Sequence, residues 1–437
     1  MRRLTIALAL LLAAPTVATP QVASGQEFPE VTLAEALRRA ASLDPNYVAA
    51  LHEVGDANWR RVAAYSAFVT PAVDFQSTST TFSSDIFNVG TNRVTDRIVD
   101  AQLRASYDIF RGGGKFFDLW SARAGLKSAR ANERQARFES ALQTESDYYA
   151  VVAKRELTRV ASERVRRAEE QLSVARARVV SGAAVQSDSL QLFLELTRAQ
   201  VELLRQEASL RVSRYQLGRR IGADGPVSAA PLDTLPAPPL PVSEEDAVVE
   251  ATQGSPRVVQ ASADAAAASS AFKSVWSQYL PQFTLFASYT GFDETFFPTA
   301  TERTLYGFAL NIPIWDNGQR ELRLSEARTT KAFTRALRDD TQRAVARDVV
   351  EAYQLYETAR AAAQLATTAV VVARENLRVQ EERYRAGATT IIDLVTAQVD
   401  LADAEAGVVQ ARQQTRLALA GLEAILGRRL FLNRVEP

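Results

Sequence analysis

Between Val99 and Ile109 the chain alternates strictly. Val99, Ala101, Leu103, Ala105, Tyr107 and Ile109 are apolar, while Asp100, Gln102, Arg104, Ser106 and Asp108 between them are polar or charged. That period belongs to a β-strand with one greasy and one wet face. Phe283, Leu285, Ala287 and Tyr289 repeat the pattern against Gln282, Thr284, Ser288 and Thr290, with Phe286 as the exception on the polar side. Four strands are predicted, over Pro71 to Phe82, Ile98 to Phe110, Pro281 to Phe292 and Thr304 to Trp315. Alternation over about 10 residues fits a strand that crosses a bilayer with its apolar face to lipid and its polar face to a wet lumen. A half-buried soluble sheet reads the same way. Four strands cannot close a barrel, so the membrane reading requires several copies of the chain.

The pattern then changes period. Lys115 to Val180 and Gln319 to Arg385 contain no proline and scarcely a glycine, and are rich in Ala, Leu, Arg, Glu and Gln. At about 1.5 Å per residue each predicts a helix on the order of 100 Å long, more than any compact domain needs. Val345, Val349, Ala352, Tyr356, Ala359, Ala363, Ala366, Val370, Ala373 and Leu377 form a heptad seam. A second row, Leu355, Ala362, Leu365, Ala369 and Val372, runs along another side. Two seams suit a ring in which each helix has two neighbours, and an ordinary four-helix bundle is the alternative.

The chain is also written twice. At a shift of 205 residues Gly113 falls on Gly318, Arg178 on Arg383, Gly182 on Gly387, Asp188 on Asp393 and Gly222 on Gly427. Upstream, Pro45 pairs with Pro256 and Pro71 with Pro281. The organisation expected is a first repeat over 27–222, a proline-rich extended connector over 223–242 and a second repeat over 243–429. Each repeat opens on a capped helix, Thr32 with Glu35 and, more weakly, Ser243 with Asp246.

Arg2 and Arg3, the apolar run Leu4 to Ala14 and the small residues that follow read as a secretory signal over about 1–24. No later run is long enough for a spanning helix, which leaves a soluble exported protein or a β-barrel. Cysteine is absent, so no disulfide framework is expected. Lys plus Arg and Asp plus Glu both number 51, giving no electrostatic reason to expect nucleic acid. The single histidine, His52, sits on a predicted helix as an ordinary surface residue, and no nucleophile elbow, phosphate loop or zinc spacing marks an enzyme. No cofactor is expected.

Several short motifs together resemble the outer membrane efflux protein family, whose best-known member is TolC. They are Leu33-Ala34-Glu35-Ala36-Leu37 with Asp44-Pro45, the junctions Phe110-Arg111-Gly112-Gly113 and Pro313-Ile314-Trp315-Asp316-Asn317-Gly318, and the tips Ser181-Gly182-Ala183 to Asp188 and Ala386-Gly387-Ala388-Thr389-Thr390 to Asp393. The resemblance implies a mainly α protein with a small β part. Long helical hairpins form a trimeric α-barrel, joined to a 12-stranded transmembrane β-barrel with four strands per protomer. It implies a passive exit duct of a tripartite efflux or type I secretion system in the outer membrane of a Gram-negative cell. The partners implied are a homotrimer, a periplasmic adaptor (membrane fusion) protein, an inner-membrane pump of RND, ABC or MFS type, and outer-membrane lipid. Gly182, Ala183, Gly387 and Ala388 then lie at the adaptor-contact tips, although a tight turn alone would also explain the glycines.

By the same resemblance Asp393 lines the closed entrance as one of three carboxylates around the axis, or serves only as a helix-start charge. The family's second aspartate position is Thr396 here. Tyr384 and Asp188 match a closing link whose arginine partner is replaced by Thr389, and Gln171 with Glu381 match another. The competing reading is a non-conducting periplasmic coiled-coil tether, separable from a barrel by whether extraction needs detergent. Substrate and pump class are not encoded in any motif.

Overall fold

The structure is a computed structural model that describes residues 28–231, 237–295 and 301–431. The expected signal segment, part of the connector, and the loop residues Phe296 and Phe297 lie outside that range.

Two halves follow one order of elements. The first holds α1 (Leu33–Ala41), α2 (Pro45–Ser66), β2 (Ala72–Asn88), β3 (Arg93–Arg111), α3 (Gly114–Val180) and α4 (Gln186–Arg220). The second holds α5 (Glu244–Gly254), α6 (Pro256–Ser277), β5 (Gln282–Asp293), β6 (Thr301–Asn311), α7 (Gln319–Arg385) and α8 (Ile391–Leu426). Two short strands, β1 (Glu30–Val31) and β4 (Ser228–Ala229), pair in parallel and tie the start of the chain to the connector. Both long helices have 67 residues, so each runs for about 100 Å. No helix among the described residues is long and apolar enough to cross a membrane.

Equivalent glycines punctuate both halves. Gly113 and Gly318 cap the starts of α3 and α7 at φ 80° and 77°, and Gly182 and Gly387 follow their ends at φ 77° and 73°. A left-handed backbone carries no penalty only without a Cβ, so the twofold pattern of glycine in the sequence is a twofold pattern of turns. The capping at Thr32 is half of what was expected. Its hydroxyl accepts from Glu35 N at 3.3 Å, but the Glu35 carboxylate turns to Arg38 and Arg39 instead of returning to the cap. A complete capping box appears at Thr390 and Asp393.

The four long strands form one antiparallel sheet in the order β2-β3-β5-β6. Its register places Phe75, Leu103, Tyr289 and Thr304 in one row and Leu285 opposite Phe308 and Tyr107. Phe75, Leu103, Tyr289, Tyr306, Phe308 and Leu310 are all exposed in the single chain, as expected of a face meant for lipid. On the other face Gln102 bonds Thr290 at 3.3 Å and Thr284 bonds Asp108 at 2.8 Å. The exception, Phe286, sits opposite Gly307, where an added Cβ would lie 3.0 Å from its ring. Glycine there gives the phenyl room. The first hairpin runs longer than the sequence implied, to Asn88 and from Arg93, because ladder bonds continue past the apolar alternation. The last strand stops at Asn311, short of Trp315, since Pro313 offers no N–H to a ladder.

Helices α4, α3, α8 and α7 pack side by side in that order, with α2 and α6 completing the layer nearer the sheet. The seam read on α7 is buried at Val345, Val349, Tyr356, Ala359 and Leu377. Its second row stays open at the edge, with Leu355, Leu365 and Val372 57%, 72% and 64% exposed. Leu190, Leu194, Val201, Leu204, Val212 and Tyr215 form a similar open row on α4. Edge helices and edge strands therefore both lack a neighbour within one chain, and each open edge has a matching counterpart on the opposite side.

Two polar devices fix the frame. Arg429, 8% exposed, bridges the fully buried carboxylates of Glu145 at 2.5 Å and Glu423 at 2.6 Å, joining the chain after α8 to α3. At the strand-to-helix junctions Lys115 donates to Ala67 O at 2.7 Å and to Asp108 O, and lies 4.4 Å from the Tyr107 ring centroid. Its repeat equivalent Arg320 donates to Pro313 O at 2.9 Å and Ile314 O at 3.1 Å. A buried cation at the second residue of each long helix thus ties it to the chain that precedes it, strand β3 for Lys115 and the segment after β6 for Arg320.

Candidate functional site at the helical tips

The ends of α3 and α7 and the starts of α4 and α8 converge at the pole opposite the sheet. Leu172, Ala175, Leu192, Leu377, Tyr384, Ile391, Leu394 and Ala397 form one buried cluster there. Each turn is closed by the same bonds. Ala183 N donates to Arg178 O and Ala388 N to Arg383 O, both at 2.8 Å. Arg178 then reaches Ala183 O at 3.2 Å, and Arg383 reaches Ala388 O at 3.4 Å. Gly182, Ala183, Gly387 and Ala388 are exposed at the extreme end.

Across the halves the tips are tied by side chains. Gln171 on α3 donates to Glu381 on α7 at 2.9 Å. The Tyr384 hydroxyl donates to Asp188 at 3.4 Å, while its ring is packed into the cluster at 3% exposure. Burial, and then the Asp188 charge, push the Tyr384 phenol above its ordinary range, so it is a neutral donor at physiological pH. Both pairs singled out in the sequence are brought together.

Asp393 is used differently. Its carboxylate accepts from the Thr390 hydroxyl at 2.7 Å, the Thr389 hydroxyl at 2.9 Å and Thr390 N at 3.2 Å. These bonds, the Thr390 hydroxyl foremost, hold its pKa below the usual carboxylate range. The side chain remains at the surface and ionised, and it also completes the capping box of α8. Thr396, an uncharged residue one turn further along α8, bonds back to Ile392 O at 2.9 Å within its own helix.

Sequence reading passed over Arg178 at this site. Its Nη1 donates to the backbone carbonyl of Tyr384, and its guanidinium lies 4.8 Å from the Tyr384 ring centroid. The signal was available, since Arg178 falls on Arg383 at the repeat offset. Among the described residues no group of three His, Asp or Glu side chains is placed to hold a metal ion.

Comparison with known proteins fits this architecture. The family model for outer membrane efflux proteins matches residues 36–223 and 247–428. The chain belongs to that family. Among curated relatives, the protein CyaE of Bordetella pertussis is 25% identical over 94% of this chain and 87% of its own length. The pyoverdine export outer membrane protein OpmQ of Pseudomonas putida is 26% identical over 78% and 72%. Among solved structures, the CmeC outer membrane channel of Campylobacter jejuni superposes with a TM-score of 0.76 at 14% identity, covering 92% of this chain and 87% of that one. This outer membrane efflux protein is therefore an outer-membrane exit duct with the helical and β-barrel fold of the family. The family is one of channels, not enzymes, and its members form trimers in tripartite pumps. Among the described residues the single chain holds one four-stranded sheet whose edge strands, β2 and β6, each lack a neighbour on their outer side.

Proposed function

We propose that this channel opens and closes at the helical tips, and that the Gln171–Glu381 and Tyr384–Asp188 links hold α7 against α3 and α4 in the closed state. What carries this reading is the convergence of both cross-half pairs at the narrow end of the helices, at 2.9 Å and 3.4 Å. Nothing about the hydrophobic core alone requires a phenol and an amide to meet carboxylates there. Three chains would bring three copies of each link, and three Asp393 carboxylates, around one axis. Those carboxylates attract cations, while the neutral Thr396 makes the constriction less acidic than two rings would be.

The exposed turns at Gly182–Ala183 and Gly387–Ala388 are the docking points for a periplasmic adaptor, which in turn engages an inner-membrane pump of the RND, ABC or MFS type. Each half-turn presents a glycine with no side chain and an alanine, so a partner hairpin can approach the backbone closely. The division into two repeats around a proline-rich connector gives six similar docking points per trimer. Export of a small molecule and secretion of a protein both suit a wide aqueous duct, and the pump selects between them.

Reconstitution in planar bilayers tests the gate. Wild-type trimers are expected to open briefly, and the Tyr384→Phe, Gln171→Ala double variant to stay open, with divalent cations blocking from the tip side through Asp393. Equal open lifetimes in both proteins would remove the gate role from these links.

A further inference from the structure

The tip has an asymmetry that the repeat makes measurable. Two residues beyond Gly387 stands Thr389, whose hydroxyl lies with Asp393 at 2.9 Å and Gln380 at 3.3 Å, so the second turn sends no cation across to the first half. A cation crosses in the opposite direction. Arg178 and Arg383 are repeat equivalents and each closes its own turn through a carbonyl five residues on. Among the described residues Arg383 makes no bond to the other half, while Arg178 goes further, to the Tyr384 carbonyl and over the Tyr384 ring.

That carbonyl is in the last turn of α7, where backbone acceptors lack helical N–H partners and the helix dipole is negative. It also accepts from Gly387 N at 3.0 Å, so the guanidinium bonds the same atom that closes the second turn. A planar fork can serve the Ala183 carbonyl, the Tyr384 carbonyl and the face of the ring together; a lysine ammonium, a single point of charge, cannot. Ring and carbonyl belong to the residue whose hydroxyl reaches Asp188.

We infer that Arg178 is the latch of the gate: a positioning residue on α3 that grips the end of α7, orients Tyr384 toward Asp188, and supplies from the first half the cationic closing contact that Thr389 leaves out of the second. The inference rests on the tip being a gate. It goes further in assigning the grip to one half of the repeat and to the shape of the guanidinium as well as its charge.

Full-length trimers carrying Arg178→Ala, Arg178→Lys or Arg383→Ala, compared in planar bilayers with Tyr384→Phe and with wild type, separate these points. Open probability and the temperature at which the trimer dissociates are both read. Arg178→Ala is expected to raise open probability about tenfold, the factor carried by one charge-assisted hydrogen bond. Arg178→Lys should open nearly as much, and Arg383→Ala should stay within about twofold of wild type with trimer stability unchanged. If Arg178→Ala does not assemble, Arg178→Gln, which keeps a donor for Ala183, carries the same expectation. Equal opening in Arg383→Ala and Arg178→Ala would overturn the latch, because only the shared turn bond would then matter. Full closure in Arg178→Lys would overturn the role of the fork. Opening by Tyr384→Phe with none by Arg178 variants would sink the latch and leave the gate; no opening in any variant would sink both.

Discussion

The two tips are one turn written twice, and one of their differences, Tyr384 against Val179, falls where the halves touch. Arg178 and Arg383, Gly182 and Gly387, and Ala183 and Ala388 make matching bonds. Among the positions that diverge are Val179 against Tyr384, Ala184 against Thr389 and Val185 against Thr390. Thr390 locks the nearby Asp393 into its own capping box, whereas Val185 has no side chain to offer a cap and leaves Asp188 to accept from Tyr384. Shared residues build the turn, and the contact between turns joins two shared residues, Arg178 and Asp188, to a diverged one, Tyr384. The duplicated element has kept its fold in both copies, while the tyrosine on which the contact centres stands in only one of them.

Restoring symmetry should therefore break the contact. Tyr384→Val gives the second tip the residue of the first, removing a buried ring and its hydroxyl at a cost of about 3 kcal/mol per chain. Open probability is expected to rise about a hundredfold in bilayer recordings. Alanine at Gly182 or at Gly387 forces a Cβ into a left-handed turn and costs about 1–2 kcal/mol, lowering trimer stability to the same extent at either tip. Unequal losses would show that one turn does more than turn. Gln171→Ala removes one hydrogen bond worth about 1 kcal/mol and should lengthen openings severalfold without changing assembly.

The phenol adds a pH dependence with a definite sign. The pKa of Tyr384 is raised above its ordinary value of 10.0, so its contribution is complete below that value and is lost as pH rises through the higher folded pKa, where the phenolate faces Asp188. Recordings above about pH 10 should show wild type opening while Tyr384→Phe does not respond. Thr390→Val is the smallest change expected. It removes the cap of α8 and lets the Asp393 pKa rise toward the ordinary range. The stabilisation of ionised Asp393, present above the ordinary carboxylate pKa and lost as pH falls through the depressed one, then weakens in acid, which acid titration by NMR would detect.

Much of this was legible in the chain. The long helices were bounded to within a residue by glycines and by the absence of proline, because a helix of this length has few other stops. Both cross-half pairs came from the family resemblance, and no periodicity in the chain links Gln171 to Glu381. Arg178 was hidden because its value lies in a backbone carbonyl on another helix, and a carbonyl has no sequence signature. Arg429 was hidden for the same kind of reason: its carboxylate partners, Glu145 and Glu423, are far apart in the chain and look like surface residues until the fold buries them. The length of the first hairpin was missed because ladder bonds do not depend on the side-chain pattern that revealed the strands.

The most direct test is entry of a large antibiotic that the outer membrane normally excludes, measured in cells whose only such duct is this protein. With equal amounts of heat-dissociable trimer, cells carrying Tyr384→Val with Gln171→Ala should become sensitive while wild-type cells remain resistant. Equal resistance in both would contradict a gate held by links between the two tips.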